Sequence, residues 1–297
     1  MEYFVAVADL GHFGRAAERL HIVQPAVSQQ VARLERELGF RLFDRSRRQI
    51  RLTPEGRAFL PHARRVLHAT EQARRAADDL RAGRGGLLRV GSSQVLGDRL
   101  DAILAGFRRE HPETAVELHR GPTPLKMAQV AAGDLDAAFV RAPEPTAGVH
   151  VEPLWDEPLF AAVPATRVPG FVADEPEQHP GDAVHLAALA DLPVALAERS
   201  ANPGVFDLIT AACRTAGFVP LPGPPFGTVQ DVLAAHVAAG RCWTVLYAAT
   251  PAAGLPRGVA LRPTRPPMSV PTGLAVAAAP RRALVEHFLT AARELAG

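Results

Sequence analysis

The sequence predicts a multidomain α/β protein in three parts: a basic helix-turn-helix domain (residues 1–53), a long helix with a hinge (54–86) and a larger α/β domain (87–297). Three patterns predict this fold class. Apolar residues recur at helical spacing near the N-terminus, a heptad repeat follows, and strand-like and helix-like segments then alternate along the rest of the chain. A chain of 297 residues also has the length of two or three domains.

The helix-turn-helix is predicted between Arg15 and Gly39. Arg15–Leu20 has the small and apolar residues of a short helix, the next three residues suit a tight turn, and Pro25 fits the start of a second helix. The buried stripe of this second helix is predicted to be Val27, Val31, Leu34 and Leu38. The opposite face is rich in amides and arginine and supplies the candidate DNA contacts Gln24, Pro25, Ala26, Ser28, Gln29 and Arg33.

A basic hairpin, or wing, is predicted after Gly39. Segments 41–44 and 49–52 are its strands, and the tip between them adds the candidate DNA contacts Arg45, Arg47 and Arg48. Thr53 then caps a further helix that begins at Pro54. Taken singly, an arginine-rich loop is ordinarily a solvated turn, and helix-turn-helix patterns arise by chance in helical proteins. Turn, amphipathic helix, basic hairpin and capped helix in this order favour DNA binding.

Residues Tyr3 to Gly56 resemble the winged helix-turn-helix of LysR-type transcriptional regulators. The motifs that carry the resemblance are Tyr3–Ala8, Arg15–Leu20, Gln24–Gln30, Leu34–Gly39, Leu42–Phe43 and Leu52–Gly56. The resemblance implies a two-lobed C-terminal domain similar to periplasmic binding proteins, with a small-molecule effector in the cleft. It also implies a homodimer or tetramer that binds an interrupted inverted repeat of double-stranded DNA and acts on RNA polymerase.

Three features depart from the family pattern. The chain begins several residues later than is usual, which predicts a shortened first helix or a misassigned start. His12 and Gly14 replace the hydroxyl residues common before the second helix, which predicts a weaker glycine cap. Gln29 stands where many relatives carry arginine, which predicts a different base preference.

The charge is distributed unevenly along the chain. The net charge is +2, but residues 1–86 carry +6 and residues 87–297 carry −4. A basic N-terminal part favours DNA binding, because positively charged side chains that neutralise DNA phosphates release the bound counterions. No apolar run reaches the roughly 18–20 residues that span a bilayer, and the N-terminus lacks the pattern of a signal peptide. A cytoplasmic protein without membrane partners is therefore expected.

Residues 54–81 are predicted to form one long helix, followed by a flexible hinge at 83–86. Its heptad positions form an alanine-rich seam of Phe59, Ala63, Val66, Thr70, Ala73, Ala77 and Leu80. The length of the seam favours dimerisation. The alternative is a helix that packs on its own domain.

Beyond the hinge, alternating strands and helices predict an α/β domain with a mainly parallel sheet. Lobe 1 is expected to span about 87–160 and 257–297, and lobe 2 about 161–256. A strand at 157–163 is predicted to cross into lobe 2, and separate strands at 259–261 and 272–277 to lead back. Residues 167–182 are predicted to be a surface loop.

Effector-binding candidates lie where predicted strands lead into helices. Ligands of open α/β sheets bind beyond the carboxyl ends of strands, and free N–H groups at helix N-termini attract anions. The candidates are Ser92, Ser93, Gln94, Thr123, Arg199, Ser200, Asn202 and Thr228, of which Thr123 also matches a loop that lines the family's effector cleft. Short polar residues without fixed charge beside helix N-termini favour a small carboxylate. The alternative for each hydroxyl or amide is a helix cap.

Catalysis has little support in the sequence. It contains no glycine-rich phosphate loop, no GxSxG and no HExxH, and its histidines lack metal-ligand spacing, so no cofactor, metal or catalytic residue is expected. Cys213 and Cys242 leave open a redox switch, although core positions suit both better. The alternative function is a solute-binding module whose winged helix contacts protein rather than DNA. The sequence also leaves open whether the protein is a dimer or a tetramer, and whether it activates or represses transcription.

Overall fold

The computed structural model describes residues 1–44, 50–81, 86–93, 96–168, 182–225, 227–250, 255–278 and 281–295. The chain divides into two compact units, Met1–Gly83 and Arg84–Gly297, and the boundary lies within the predicted hinge. A further division of the first unit at residue 53 stays a prediction.

The first unit contains four helices and a short antiparallel hairpin among its described residues. They are α1 Glu2–Leu10, α2 Phe13–Arg19, α3 Gln24–Leu38, β1 Phe43–Asp44, β2 Arg51–Leu52 and α4 Pro54–Arg81. A core of aromatic and small side chains joins them, with Phe4, Val7, Ala16, Val31 and Leu42 fully buried. The sequence therefore predicted the ends of α2, α3 and α4 to within two residues.

Two local expectations for this unit are wrong. His12 caps α2 through its side chain, since its Nδ1 accepts the N–H groups of Gly14 (3.0 Å) and Arg15 (3.4 Å). The predicted weak glycine cap is thus replaced by an imidazole cap. The hairpin is also shorter than predicted, because its first strand begins at Phe43 and its second at Arg51. The predicted contacts Arg45, Arg47 and Arg48 lie outside the described residues.

Helix α4 begins and ends where the sequence predicts. The Thr53 hydroxyl accepts the N–H of Gly56 (2.9 Å) and donates to the carbonyl of Arg41 (2.7 Å), which ties the helix start to the hairpin. Gly56 cannot carry a side chain because a Cβ there would collide with the Leu42 carbonyl oxygen.

The heptad seam of α4 divides into two parts. Phe59 and Ala63 pack in the core of the first unit, as the alternative interpretation expects. Val66 is 48% exposed, and Thr70, Ala73 and Ala77 are exposed as well. The Leu80 side chain lies outside the described residues. The exposed part of the seam therefore begins at Val66 rather than at Phe59.

The second unit is built on a sheet flanked by helices. Its strands are β3 Leu87–Ser92, β4 Ala115–Arg120, β5 Ala137–Arg141, β6 Val149–Pro164, β7 Val184–His185, β8 Val194–Ala195, β9 Trp243–Tyr247 and β10 Val259–Ala277. Its α-helices are α5 Asp98–Glu110, α6 Thr123–Ala132, α7 Pro203–Thr215, α8 Val229–Val232 and α9 Ala283–Glu294. A π-helical turn, Leu233–Val237, continues α8. Most of the predicted loop 167–182 lies outside the described residues.

The sheet is mixed, so the prediction of a mainly parallel sheet is wrong. The strand order is β4-β3-β5-β10-β6-β9-β8, with β7 beside β10. Strands β4, β3 and β5 are parallel, whereas β10 is antiparallel to both β5 and β6, and β6 is antiparallel to β9. The reason is connectivity: β6 carries the chain from one lobe to the other, and β10 carries it back alongside.

The two long strands also change the expected lobe bounds. The predicted separate return strands are one strand, Val259–Ala277. Its Ala260, Met268 and Val270 pack in one core with Trp243 and other lobe 2 residues, whereas Leu274 and Val276 pack in the core of lobe 1. Judged by this packing, the chain returns from lobe 2 to lobe 1 after residue 270, and not near residue 257 as expected. Across the described residues, none of the helices has the length and apolar character to span a membrane.

Candidate DNA-binding surface and effector site

Helix α3 presents the predicted polar face to solvent. Val27 and Val31 are fully buried and fix the orientation of the helix, while Gln24, Pro25 and Gln29 are exposed. Ala26 and Ser28 are half-buried beside them. The Arg33 guanidinium is exposed and pairs with Glu37 one turn later (2.9 Å). The N-terminal half of α3 therefore offers amide groups, and its middle offers a cation that is already paired.

A groove beside the hairpin adds arginines that sequence reasoning did not select. Arg41, Arg51 and Arg57 line it together with Asp44. Arg57 donates to the Leu52 carbonyl (2.7 Å), which holds its side chain against the hairpin. Their positive charge is visible in the sequence, but only the pairing of β1 with β2 and the start of α4 bring the three together.

Glu35 is a buried carboxylate that the apolar stripe of α3 did not predict. It is 5% exposed, and its Oε1 accepts the backbone N–H groups of Leu42 (2.8 Å) and Phe43 (3.2 Å). Arg41 lies 3.9 Å from its other oxygen. One side chain of α3 therefore fixes the first strand of the hairpin, and with it the position of the wing relative to α3.

In the second unit, the N-termini of α6 and α7 meet at the carboxyl end of β5. The Thr123 N–H donates to the Ala201 carbonyl (3.0 Å). The Asn202 amide donates to the Thr123 hydroxyl and to the Arg141 carbonyl, both at 3.2 Å, while its oxygen caps α7. Gly204 approaches Ala142 so closely that a Cβ would collide with the Ala142 carbonyl. Thr123 and Asn202 thus join the two lobes, and Asn202 is a cap as well.

Ser92 and Ser93 are linked to the carboxyl end of β5 by hydrogen bonds to a lysine. Lys126 of α6 is 1% exposed, and its Nζ donates to the Phe139 carbonyl (2.6 Å), the Ser93 hydroxyl (2.7 Å) and the Ser92 carbonyl (3.3 Å). Burial lowers the pKa of Lys126 from 10.5 to about 8, with a smaller contribution from the charge of Arg141. We define the strand-end cluster by the residues Ser92, Ser93, Thr123, Lys126, Arg141 and Asn202.

Arg141 is the second buried cation of the strand-end cluster. It is 3% exposed, and its guanidinium lies 3.8 Å from the centre of the Tyr247 ring. Burial lowers the pKa of Arg141, while Tyr247 and Glu157 partly offset this effect. The buried Glu157 accepts hydrogen bonds from Arg99 (3.1 Å), from Trp155 (2.9 Å) and from the Ala249 N–H (3.2 Å). Sequence reasoning selected neither Lys126 nor Arg141.

The other predicted effector contacts have partners within their own segments. Arg199 forms an exposed, two-bond ion pair with Asp207 (2.9 and 2.6 Å), so its guanidinium already has a carboxylate partner. The exposed Ser200 donates to Glu198 (3.2 Å), and Thr228 forms a capping box with Asp231 at the start of α8. No described contact joins these three residues to the strand-end cluster. Gln94 lies outside the described residues.

The two cysteines are buried in different parts of lobe 2. Cys213 lies on the buried face of α7, and Cys242, directly before β9, belongs to a second core cluster. Burial raises the pKa of Cys213 to about 11 and also raises the pKa of Cys242. Reactive thiols need a lowered pKa and access to solvent, so both cysteines have the character of packing residues.

Comparison with protein families covers nearly the whole chain. Residues 1–57 match the model described as the helix-turn-helix of bacterial regulatory proteins of the lysR family, and residues 81–297 match the LysR substrate binding domain. The chain belongs to the LysR family of transcriptional regulators.

Relatives and solved structures agree with this assignment. ClcR of Pseudomonas putida is 33% identical over 236 residues, which are 79% of this chain and 76% of ClcR. YnfL of Escherichia coli K12, an uncharacterised HTH-type regulator, is 32% identical over 78% of this chain and 76% of its own. Full-length CbnR complexed with its target DNA is 26% identical, with a TM-score of 0.62 over 99% of this chain and 98% of CbnR. Full-length BenM is 26% identical, with a TM-score of 0.58 over 99% of this chain and 94% of BenM.

The family assignment confirms several predictions. This LysR-type regulator has an N-terminal winged helix-turn-helix and a C-terminal effector-binding domain, and it is a DNA-binding regulator of transcription. The prediction of a regulator rather than an enzyme is also confirmed, since the relatives are transcriptional regulators. The individual DNA and effector contacts stay predictions.

Proposed function

We propose that this LysR-type regulator binds an interrupted inverted repeat near a promoter as a cytoplasmic homo-oligomer, and that a small organic acid controls it. The observation that carries the DNA part is the exposed amide face of α3, with Gln24 and Gln29 held outward by the buried Val27 and Val31. Glutamine can form two hydrogen bonds to adenine in the major groove. Gln24, Pro25, Ala26, Ser28, Gln29 and Arg33 are the proposed contacts of this helix.

The wing supplies the proposed contacts to the DNA backbone. Six arginines are suited to this role, because a guanidinium neutralises the phosphate charge and a contact to phosphate reads no base. They are Arg45, Arg47 and Arg48 between the two strands in sequence, and Arg41, Arg51 and Arg57 at the base of the hairpin. Arg33 would have to exchange its pair with Glu37 for a phosphate, so its contribution is smaller than that of an unpaired arginine.

A pair of substitutions tests this division of roles. Gln29→Ala should relax sequence preference, by about 1–3 kcal/mol at the base that it reads. Arg51→Ala should weaken specific and random DNA alike and lower the salt slope of binding by about one unit. Fluorescence anisotropy measures both the sequence preference and the salt slope. It is recorded across a salt series with two duplexes, a promoter fragment recovered by genomic footprinting and a scrambled duplex. Equal loss on the two duplexes in Gln29→Ala would contradict the base contact, and a missing salt slope would favour a protein partner for the wing.

Oligomer formation is proposed through the exposed part of the α4 seam. From Val66 onward the seam offers a small apolar face, with Ala73 and Ala77 at heptad spacing, that a second copy can approach closely. Two linked helix-turn-helix units would bind two half-sites with a gain from effective concentration. In this proposal the effector changes the spacing of these units, and hence DNA bending and contact with RNA polymerase.

The effector is proposed to bind at the strand-end cluster. The side chains of Ser93, Thr123 and Asn202 surround the carboxyl end of β5, where the N-termini of α6 and α7 also meet, and Ser92 adds its backbone carbonyl through Lys126. Helix N-termini carry partial positive charge, and Lys126 and Arg141 add two buried cations, whereas Glu157 is the buried carboxylate among the described residues of the second unit. This balance favours an anion. Arg199, Ser200 and Thr228 are secondary contacts in this proposal because each has its own described partner.

A thermal-shift screen tests the effector class. Organic acids should predominate among the stabilising metabolites, since a ligand at a hundredfold excess over its Kd adds about 2.7 kcal/mol to stability. Thr123→Val removes a hydroxyl that faces the cluster and keeps the side-chain volume, so it should reduce the shift. DNA binding without ligand should be unaffected. A cationic best hit, or an unchanged shift in Thr123→Val, would contradict the proposed site.

A further inference from the structure

Lys126 occupies a place that the surrounding chain leaves open for it. Gly91 on β3 and Ala138 on β5 lie beneath its stem, and a Cβ at residue 91 would lie 3.1 Å from the Lys126 Cδ and 2.7 Å from the Ala138 Cβ. Small residues on two neighbouring strands therefore allow the stem to cross them. The ammonium reaches the carboxyl ends of these strands, where Ser92 ends β3, Ser93 follows it, and Phe139 lies near the end of β5.

Three hydrogen bonds match the three N–H groups of the ammonium, and none goes to an anion. The acceptors are two backbone carbonyls and the Ser93 hydroxyl. Among the described residues, no carboxylate pairs with Lys126, and the charged group that acts on it is Arg141, a second cation. A buried charge without a counterion is destabilising. An anion beside the cluster would offset this cost.

The geometry shows how such an anion would be contacted. The Ser93 hydroxyl accepts from Lys126 and donates to the Phe139 carbonyl (3.0 Å). That carbonyl also receives an N–H of Lys126, so it keeps a hydrogen-bond partner when the hydroxyl rotates away. The hydroxyl can then donate to an incoming carboxylate while it still accepts from the ammonium. Chains of hydrogen bonds strengthen one another, so the charge of Lys126 makes Ser93 a better donor.

We propose that Lys126, acting through Ser93, is the positioning residue that makes the effector site select a carboxylate over its uncharged analogues. The inference rests on the proposed effector site and deepens it. The competing role for Lys126 is purely structural, in which it only ties β3 to β5. That role predicts equal losses for acids and for neutral analogues when the lysine is changed, whereas charge selection predicts a loss for acids alone.

Matched acid and amide probes distinguish these roles in the full-length protein. Affinities are measured by calorimetry for acetate, succinate and benzoate and for acetamide, succinamide and benzamide. Lys126→Met keeps the unbranched stem and removes the charge, and Arg109→Met removes an exposed cation from α5 as the matched control. The preference for acid over amide should fall roughly tenfold or more in Lys126→Met, the range of a lost charge-assisted hydrogen bond, and should not change in Arg109→Met.

A second measurement does not depend on the folding of any variant. Lys126 is the sole lysine of the chain, so protein made with ¹³Cε-lysine gives one lysine resonance whose titration reports the pKa directly. Tenfold tighter binding of an acid to the charged lysine must raise that pKa by about one unit, by linkage. The bound amide should leave it unchanged.

The outcomes separate this inference from the function on which it rests. An acid that binds but leaves both the lysine titration and the Lys126→Met preference unchanged overturns the role of Lys126 and leaves the organic-acid effector standing. Failure of every acid to bind protein that still binds DNA overturns the organic-acid class and this inference together. If Lys126→Met does not fold, the titration alone decides.

Discussion

Replacing Glu35 by alanine should loosen the wing without disturbing the rest of α3. The carboxylate accepts two backbone N–H groups, from Leu42 at 2.8 Å and Phe43 at 3.2 Å, and these residues are 0% and 3% exposed. Alanine leaves both donors buried without this acceptor, and each unsatisfied donor costs about 1–3 kcal/mol. We expect a local loss of about 2–4 kcal/mol, because water will reach one of the two groups more easily than the other.

Amide hydrogen exchange of the full-length protein measures this loss where it occurs. At tenfold per 1.4 kcal/mol, a loss of about 2 kcal/mol accelerates exchange of the Leu42 and Phe43 amides by about thirtyfold. The matched control is Glu35→Gln, whose amide oxygen can still accept both bonds and should cost about 1 kcal/mol. DNA affinity should fall for all sequences in Glu35→Ala, since the wing contacts phosphate in our proposal. Unchanged exchange at these two amides would refute the argument.

Three further predictions concern the seam, an ion pair and the junction of the lobes. Val66→Glu combined with Ala73→Glu should dissociate the oligomer in sedimentation and reduce DNA affinity, whereas Gln72→Glu, at a heptad position away from the seam, should do neither. The pKa of Glu152 is lowered from 4.5 to about 2, chiefly by its hydrogen bond from Arg293 (2.7 Å). The stabilisation from the Glu152–Arg293 pair is therefore present above pH 4.5 and is lost as the pH falls through about 2. The difference in urea midpoint between wild type and Glu152→Gln should disappear over that range, and a difference that persists at the acid end would count against this assignment. Asn202→Ala should destabilise lobe 2 by about 1–2 kcal/mol and accelerate exchange at the start of α7, while Asn202→Asp should keep the cap and lose the two hydrogen bonds that the amide group donates to Thr123 and to the Arg141 carbonyl. Wild-type stability in Asn202→Asp would show that these two hydrogen bonds have no energetic role.

The part of the site that the sequence predicted best is the part that local rules govern. The amide face of α3 follows from one apolar stripe, since burying Val27 and Val31 forces Gln24 and Gln29 outward. In the effector domain, Ser92, Ser93, Thr123 and Asn202 were selected because they follow strands or begin helices, and the contacts bring these four together. Arg199 satisfied the same rule, yet it pairs with Asp207, because a nearby carboxylate one helical turn into α7 competes for the cation.

Sequence alone determined the order of the parts, the winged helix-turn-helix, the length of α4 and the alternation of strands and helices. These depend on 3.6-residue and two-residue periodicities, caps and breakers, which act between residues close in the chain. Tertiary structure decided the mixed sheet, the caps and anchors made by His12 and Glu35, and the burial of Lys126 and Arg141. A hydrophobic pattern records which apolar residues are buried, but a polar residue is buried only where partners satisfy it. For Lys126 those partners, Ser93 and Phe139, lie 33 and 13 residues away and meet it only when β3, β5 and α6 have packed.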